Sequence, residues 1–177
     1  MNNDELTLVL SNDKILTRVE EIAKDLDVKY AGEVPVVIGI MRGCLYFLAD
    51  LTQQIDLNIE IDMMSLSSYG TGSTSSGTVR ILKDIEIDIT NRHVVVVEDI
   101  IDTGTTLDYL REYFDTKKAK TVTTISIFAK EGTNKFANGA DVVGFYLPDK
   151  FLVGYGLDYA NKYRHLKDVY ELKLADK

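Results

Sequence analysis

Residues 94–107 read VVVVEDIIDTGTTL, and along them the signal passes from strand to loop to helix. Val94, Val95, Val96 and Val97 are β-branched and apolar without alternation, the pattern of a short strand covered on both faces, as in a parallel sheet. The polarity then inverts. Glu98 and Asp99 stand at the carboxyl end of that strand, Asp102, Thr103, Gly104, Thr105 and Thr106 follow, and Leu107, Leu110 and Phe114 begin a helical spacing. A loop of glycine and hydroxyl residues that opens a helix predicts a phosphate site. First-turn N–H groups have no acceptor within the helix and carry partial positive charge, Gly104 lets the backbone come close, and the threonine hydroxyls add donors. A threonine or aspartate before a helix is commonly no more than its N-cap. The acids are harder to reduce to scaffolding. Crowding Glu98, Asp99 and Asp102 at a strand end that the valines bury costs free energy unless a cation or a polyhydroxyl ligand is bound there.

The 177 residues fit one domain, 1–177, with a core of ordinary size, and the 45% apolar and 27% charged fractions are those of a globular chain. A net charge of −8 and the absence of a basic run argue against a nucleic-acid surface. The single Cys44 excludes an intramolecular disulfide and fits a reducing cytosol. The amino terminus, MNNDELTLVLSND, has neither a basic n-region nor a long apolar run, and nothing approaches membrane-spanning length. A cytoplasmic protein without a membrane partner is expected.

From the start of the chain, Ser11-Asn12-Asp13 offers a cap for a scaffold helix whose apolar face is expected to be Ile15, Leu16, Val19, Ile22, Ala23 and Leu26. Residues 34–40 form a second unalternated apolar run, which ends at Met41-Arg42-Gly43 before a helical stripe of Cys44, Phe47, Leu48, Leu51 and Ile55. Arg42 at such a turn is placed to face an anion over a helix N-terminus, although an isolated strand-end arginine is as often a surface residue. Ile59, Ile61 and Met63 alternate as in a strand, and SSYGTGSTSSG at 67–77 then holds no apolar residue but Tyr69, which predicts a mobile lid over about 67–78. A return strand follows at 78–82. Further strands are expected over 120–128, ending at Lys130, over 141–147, and over 169–174. In FLVGYGLDY at 151–159 two glycines interrupt a strand pattern and suggest close backbone approach to a ligand. Strands alternating with helical stripes and ending in polar turns predict an α/β fold, a doubly wound, mainly parallel sheet with its site at the carboxyl ends of the strands.

Residues 98–106 resemble the phosphoribosyl diphosphate (PRPP) motif of the phosphoribosyltransferases, in which two acids follow an apolar strand and precede a D-T-G-x-T loop. MRG at 41–43, SSYG at 67–70, Lys130, FLVGYGLDY at 151–159 and YRHL at 163–166 extend the likeness, in order and spacing, to the hypoxanthine-guanine branch of that family. The resemblance implies a type I phosphoribosyltransferase fold with a small hood segment and a base-binding closing segment at about 148–166. It implies that Glu98 and Asp99 bind the ribose hydroxyls, and that Asp102, Thr103, Gly104, Thr105 and Thr106 hold the 5′-phosphate. Arg42, Gly43 and Arg164 would meet pyrophosphate, and Ser68 and Tyr69 would open the lid. Lys130 would read the purine O6, Phe151 would stack on the base, and Leu152 would offer its carbonyl to the ring edge. Asp158, beside the base, is implied as a carboxylate for Mg2+, with Glu98 and Asp99 nearby.

The implied reaction is Mg2+-dependent displacement of pyrophosphate from PRPP by N9 of hypoxanthine or guanine, with xanthine a further candidate. Asp102 would manage the N7 proton, its protonated form favoured by neighbouring negative charge. A homodimer or homotetramer is implied as well. Two positions depart from the family pattern: Arg42 replaces the usual lysine of the pyrophosphate loop, where a non-proline cis peptide is usual, and Thr105 stands where some members have lysine. An anionic substrate must also bind against the global charge, which requires local cations. Three other readings remain open at this point. Asp-Thr-Gly is also an aspartic protease signature, though there in an all-β setting. A nucleotide-sensing regulator would share the fold, and an adenine- or pyrimidine-specific transferase would share the motif.

Overall fold

The computed structural model describes residues 5–68, 79–102, 104–131 and 139–174, with Ser68 and Thr105 described by their backbone alone. The chain runs β1 (Glu5–Leu10), α1 (Asn12–Lys29), β2 (Val36–Met41), α2 (Leu45–Gln54), β3 (Glu60–Ser68), β4 (Val79–Lys83), β5 (His93–Ile101), α3 (Thr105–Thr116), β6 (Thr121–Lys130), β7 (Val142–Leu147), β8 (Leu152–Val153) and β9 (Val169–Lys173). Most of the lid expected at about 67–78, Tyr69 included, lies outside the described residues, as does Thr103.

Six strands form the main sheet in the order β4-β3-β2-β5-β6-β7, and all its pairs are parallel except β3 with β4. The valine run explains why β5 is central. Val95 and Val97 join the cluster made with α1 and α2, whereas Val94 and Val96 join the cluster made with Leu107, Leu110 and Phe114 of α3. Period-two alternation thus buries both faces of one strand. Each such side chain contributes about 1.5–3 kcal/mol by leaving water. The chain moves outward from β2 to β3, then returns to place β5 on the other side of β2. Strand order therefore reverses between β2 and β5, and the crevice at their carboxyl ends is where ligands bind in open α/β sheets. Met41-Arg42-Gly43 stands at the end of β2, and Glu98-Asp99 lies in the last residues of β5.

A second, antiparallel sheet in the order β1-β9-β8 joins the two ends of the chain. The sequence pattern did not disclose β1, because its partner is more than 150 residues away and Leu8 is left exposed. Nor does the Ser11 side chain cap α1. The acceptor comes from the hood: the Asn12 N–H donates to Asp168 Oδ1 at 2.7 Å, and the Tyr170 hydroxyl holds the other oxygen at 2.9 Å. Asp168→Ala is accordingly expected to cost about 1 kcal/mol, the usual size of a lost cap. For a chain of this size that is a drop of about 2–4 °C in Tm. An unchanged melting curve would show that α1 starts without help from the hood.

The alternation in β3 is present, but its apolar side is the uncovered one. Ile61 and Met63 are 49% and 44% exposed, whereas Asp62 and Met64 are buried. The main helix contacts lie elsewhere in the sheet, α2 against β2 and β5 and α1 against β7. On the other face Asp62 accepts hydrogen bonds from the N–H groups of Glu86 and Ile87, at 2.7 and 2.9 Å, and fastens that segment over the sheet.

Candidate active site

At the end of β2 the Met41–Arg42 peptide is cis, and Gly43 follows. What demands glycine here is space. A Cβ on Gly43 would lie 1.6 Å from Asp99 Oδ2 and 2.3 Å from Asp99 Cγ. The loop backbone thus rests directly on the carboxylate at the end of β5. Arg42 reaches across to the closing segment, donating from Nη2 to Asn161 Oδ1 at 3.1 Å.

β5 continues to Ile101, so Glu98 and Asp99 sit within the strand's last turns of pleat. Glu98 Oε2 is sealed from solvent and has no hydrogen-bond partner among the described residues. Burial first, then the neighbouring Asp99, pushes the Glu98 carboxyl well above the usual carboxylate range. Burial likewise raises Asp99, against the Ile100 N–H that it accepts at 2.9 Å and the positive charge of Arg164. The like-charge crowding read from the sequence therefore falls on these two acids. Asp102 faces a cation: its Oδ1 is 3.1 Å from Lys130 Nζ.

Gly104 occupies the N-cap of α3 at φ +80°, a left-handed conformation that glycine adopts without a Cβ penalty. It has no side chain to cap the helix. Its carbonyl accepts from Leu107 and Asp108 at 3.0 and 3.2 Å, and as at any helix start the preceding N–H groups have no intrahelical acceptor. They adjoin a small cleft of about 80 Å³ lined by Glu98, Asp102, Gly104 and Thr106. This is the setting for an anion that the sequence predicted.

A larger pocket of about 230 Å³ opens beside it. Asp99, Asp102, Lys130, Phe151, Leu152 and Asp158 all line it, so one cavity gathers residues from β5, β6 and the closing segment. Phe151 stands at its mouth, 52% exposed, with its ring edge-on to Tyr159 at 5.4 Å between centroids. Burial works against the Lys130 ammonium, but its bonds to Asp102 and Asp149 outweigh that and hold it above its ordinary value. Asp158 is clamped by Arg164, Nη2 to Oδ1 at 2.5 Å, and accepts the Asn161 N–H at 2.7 Å. Arg164 also donates to the Gly156 carbonyl at 2.6 Å. The local cations that an anionic substrate requires are therefore present, each already near an acid or an amide.

Residues 151–159 correct the sequence reading. Only Leu152–Val153 is strand, and the two glycines approach the protein's own backbone. Gly154 and Gly156 lie at φ +97° and +95°, and a Cβ on them would meet the carbonyl oxygens of Asp168 at 2.1 Å and Gly43 at 1.9 Å. Gly43 is thus wedged between Asp99 and Gly156. Sequence reasoning also missed Ile100, Lys150 and Leu157 in the pocket wall, and Asp149, whose Oδ1 is 3.2 Å from Lys130 Nζ. In the sequence Pro148-Asp149 signals only a turn.

Among the described residues no group of three or more His, Cys, Asp or Glu side chains converges to hold a metal unaided. That fits an ion held by one or two carboxylates together with substrate oxygens, as magnesium commonly is. The unpartnered Glu98 Oε2 and the raised carboxyls of Glu98 and Asp99 indicate where positive charge is wanting.

Comparison with known proteins agrees with this geometry. A phosphoribosyl transferase domain profile matches residues 6–160. The hypoxanthine-guanine phosphoribosyltransferase of Bacillus subtilis is 42% identical over 175 residues, covering 99% of this chain and 97% of that protein. The bifunctional protein TilS/HprT of Listeria innocua is 41% identical over 173 residues, and there the chain spans 98% of its own length but 27% of the relative's. The crystal structure of a hypoxanthine-guanine phosphoribosyltransferase from Bacillus anthracis superposes with a TM-score of 0.89 at 39% identity, covering 94% of this chain and 99% of that one. A six-stranded, mainly parallel sheet, a small antiparallel hood and a full-length likeness at this level of identity lead to one assignment: the chain belongs to the type I phosphoribosyltransferase family, among the bacterial hypoxanthine-guanine phosphoribosyltransferases.

Proposed function

We propose that the protein carries out purine salvage, moving the 5-phosphoribosyl group of PRPP to N9 of hypoxanthine or guanine, with xanthine a third candidate, and releasing pyrophosphate. The observation that carries this reading is the pocket in which Lys130 and Phe151 meet Asp99 and Asp102. It offers a cation for an exocyclic oxygen and an aromatic wall for a purine, next to acids suited to a ribose. Glu98 and Asp99 would bind the ribose hydroxyls, and the residues from Asp102 to Thr106 the 5′-phosphate at the start of α3. Arg42, Gly43 and Arg164 would hold the pyrophosphate end.

As the C1–oxygen bond to pyrophosphate breaks and the C1–N9 bond forms, positive charge develops on the sugar, as in glycosyl transfer generally. Asp102, which lines both clefts, would take the purine's N7 proton. Asp158, Glu98 and Asp99 would hold Mg2+, which when bound would supply positive charge against the diphosphate. Ser68 and Tyr69 would bring the lid over the site and exclude water. Among the described residues no helix is long and apolar enough to cross a membrane, and the expected setting is the cytoplasm. The uncovered apolar side chains Leu45, Ile61, Met63 and Leu82 support assembly as a homodimer or homotetramer.

The test is steady-state formation of nucleoside monophosphate from PRPP and Mg2+ with hypoxanthine, guanine, xanthine and adenine offered separately. Turnover with 6-oxopurines and little with adenine is expected. In the same assay Lys130→Ala is expected to narrow the preference for hypoxanthine over adenine by about 10- to 100-fold, the scale of one hydrogen bond to a charged group. Equal use of the two bases by the unaltered protein would remove the case for Lys130. Retained PRPP binding without turnover of any base would turn the reading toward a regulator.

A further inference from the structure

Lys130 is held by two acids that reach it from different parts of the chain. Asp102 comes from the loop before α3, at 3.1 Å, and Asp149 from the turn after β7, at 3.2 Å. The lysine side chain is 26% exposed and the acids 67% and 75%, so the cation sits at the pocket wall and both carboxylates at its rim. Under the proposed reaction this arrangement meets a difficulty. When Asp102 takes a proton from the base, the carboxylate facing Lys130 becomes a neutral carboxyl. A bound purine has by then displaced water from the pocket, so losing one charged partner there is costly to the cation, and the flexible lysine stem would let it swing away.

The second acid removes the difficulty, and it is rigidly mounted. The Lys150 ammonium binds Glu171 Oε2 of β9 at 2.6 Å, the Leu172 N–H donates to the Phe151 carbonyl at 2.9 Å, and the Glu131 N–H donates to the Leu147 carbonyl at 2.8 Å. The turn carrying Asp149 is thereby tied to the hood on one side and to the end of β6 on the other. Phe151, the aromatic wall, stands two residues further on in the same turn.

We infer that Asp149 is a positioning residue for base selection: it keeps the Lys130 ammonium at the purine O6 position whichever protonation state Asp102 is in. This inference rests on the proposed transfer reaction. Its role differs from that of an ordinary exposed ion pair, which contributes little to stability and nothing to selectivity.

The experiment compares the full-length protein with Asp149→Asn and Asp149→Glu, by steady-state kinetics with hypoxanthine and adenine and by equilibrium titration with inosine and adenosine monophosphates. Asp149→Asn is expected to raise the KM for hypoxanthine and the Kd for inosine monophosphate about tenfold, a single charged contact's worth. The KM for PRPP should be unmoved, the inosine-to-adenosine ratio should narrow, and Asp149→Glu should recover most of the loss. Unchanged constants in Asp149→Asn would overturn the inference. So would an equal loss for both nucleotides that glutamate does not restore, because that is the signature of a damaged turn. Absence of turnover by the unaltered protein with every base would instead sink the transfer reading, and this inference with it.

Discussion

Gly43→Ala is expected to leave a folded protein that has lost PRPP-dependent turnover by roughly 100-fold or more, the scale on which an ångström of misplacement at a reacting centre is felt. The added methyl would sit 1.6 Å from Asp99 Oδ2, so something has to move. The loop cannot retreat freely, since the Gly43 carbonyl already lies where a Cβ on Gly156 would be, at 1.9 Å. The cheapest relief is a swing of the Asp99 carboxylate away from the Ile100 N–H that it now accepts. Such a swing creates no cavity in either hydrophobic cluster, so the stability cost is modest. The functional cost is large, because the same motion displaces a proposed ribose ligand and unsettles the proposed pyrophosphate loop. The measurement is kcat/KM for PRPP together with a thermal melt. A value within about threefold of the unaltered protein would mean that Asp99 does not hold PRPP, since a lost charged hydrogen bond alone should exceed that.

That wedge marks the boundary of what the sequence disclosed. Glycines at 154 and 156 signal close approach, and close approach is what they make, but the partners are the carbonyls of Asp168 and Gly43. Local composition reports that room is needed and says nothing of who occupies it. The valine run was legible, because burial on both faces removes alternation and four β-branched residues favour strand over buried helix. β3 was legible as a strand and illegible as to its buried side, because that depends on which tertiary neighbours cover each face. β1 went unread for a related reason: its pairing with β9 is distant, and Leu6 and Leu8 are left exposed.

The site followed the same division. Glu98, Asp99, Asp102 and Gly104 lie within seven residues and break a strong apolar pattern, so their signal is local. Their gathering with Lys130, Phe151 and Asp158 into one pocket depends on the parallel register of β5, β6 and β7 and on the fold of the closing segment. Asp149 had no signal at all. An aspartate after proline reads as a turn, and only the pairing of Ala129 with Tyr146 and Lys130 with Leu147 brings it to the lysine.

Asp102→Ala is expected to lower kcat by about 100- to 10,000-fold, the range spanned by general acid–base groups, while changing the KM for PRPP little. Asp102 fills no core position: its side chain is 67% exposed, and its partner Lys130 keeps Asp149 when it is gone. Loss of turnover in this variant therefore cannot be charged to unfolding, and a melt within about 2 °C of the unaltered protein is expected, as for surface changes generally. Asp102→Asn separates the two roles that the geometry allows. It preserves size and a hydrogen-bonding oxygen toward Lys130 and the phosphate cleft but cannot accept a proton in the working pH range. If Asp102 moves the N7 proton, asparagine should be as poor as alanine in kcat. Should asparagine instead restore turnover, Asp102 would act by orienting Lys130 and the α3 loop, and the proton would have to leave by way of water.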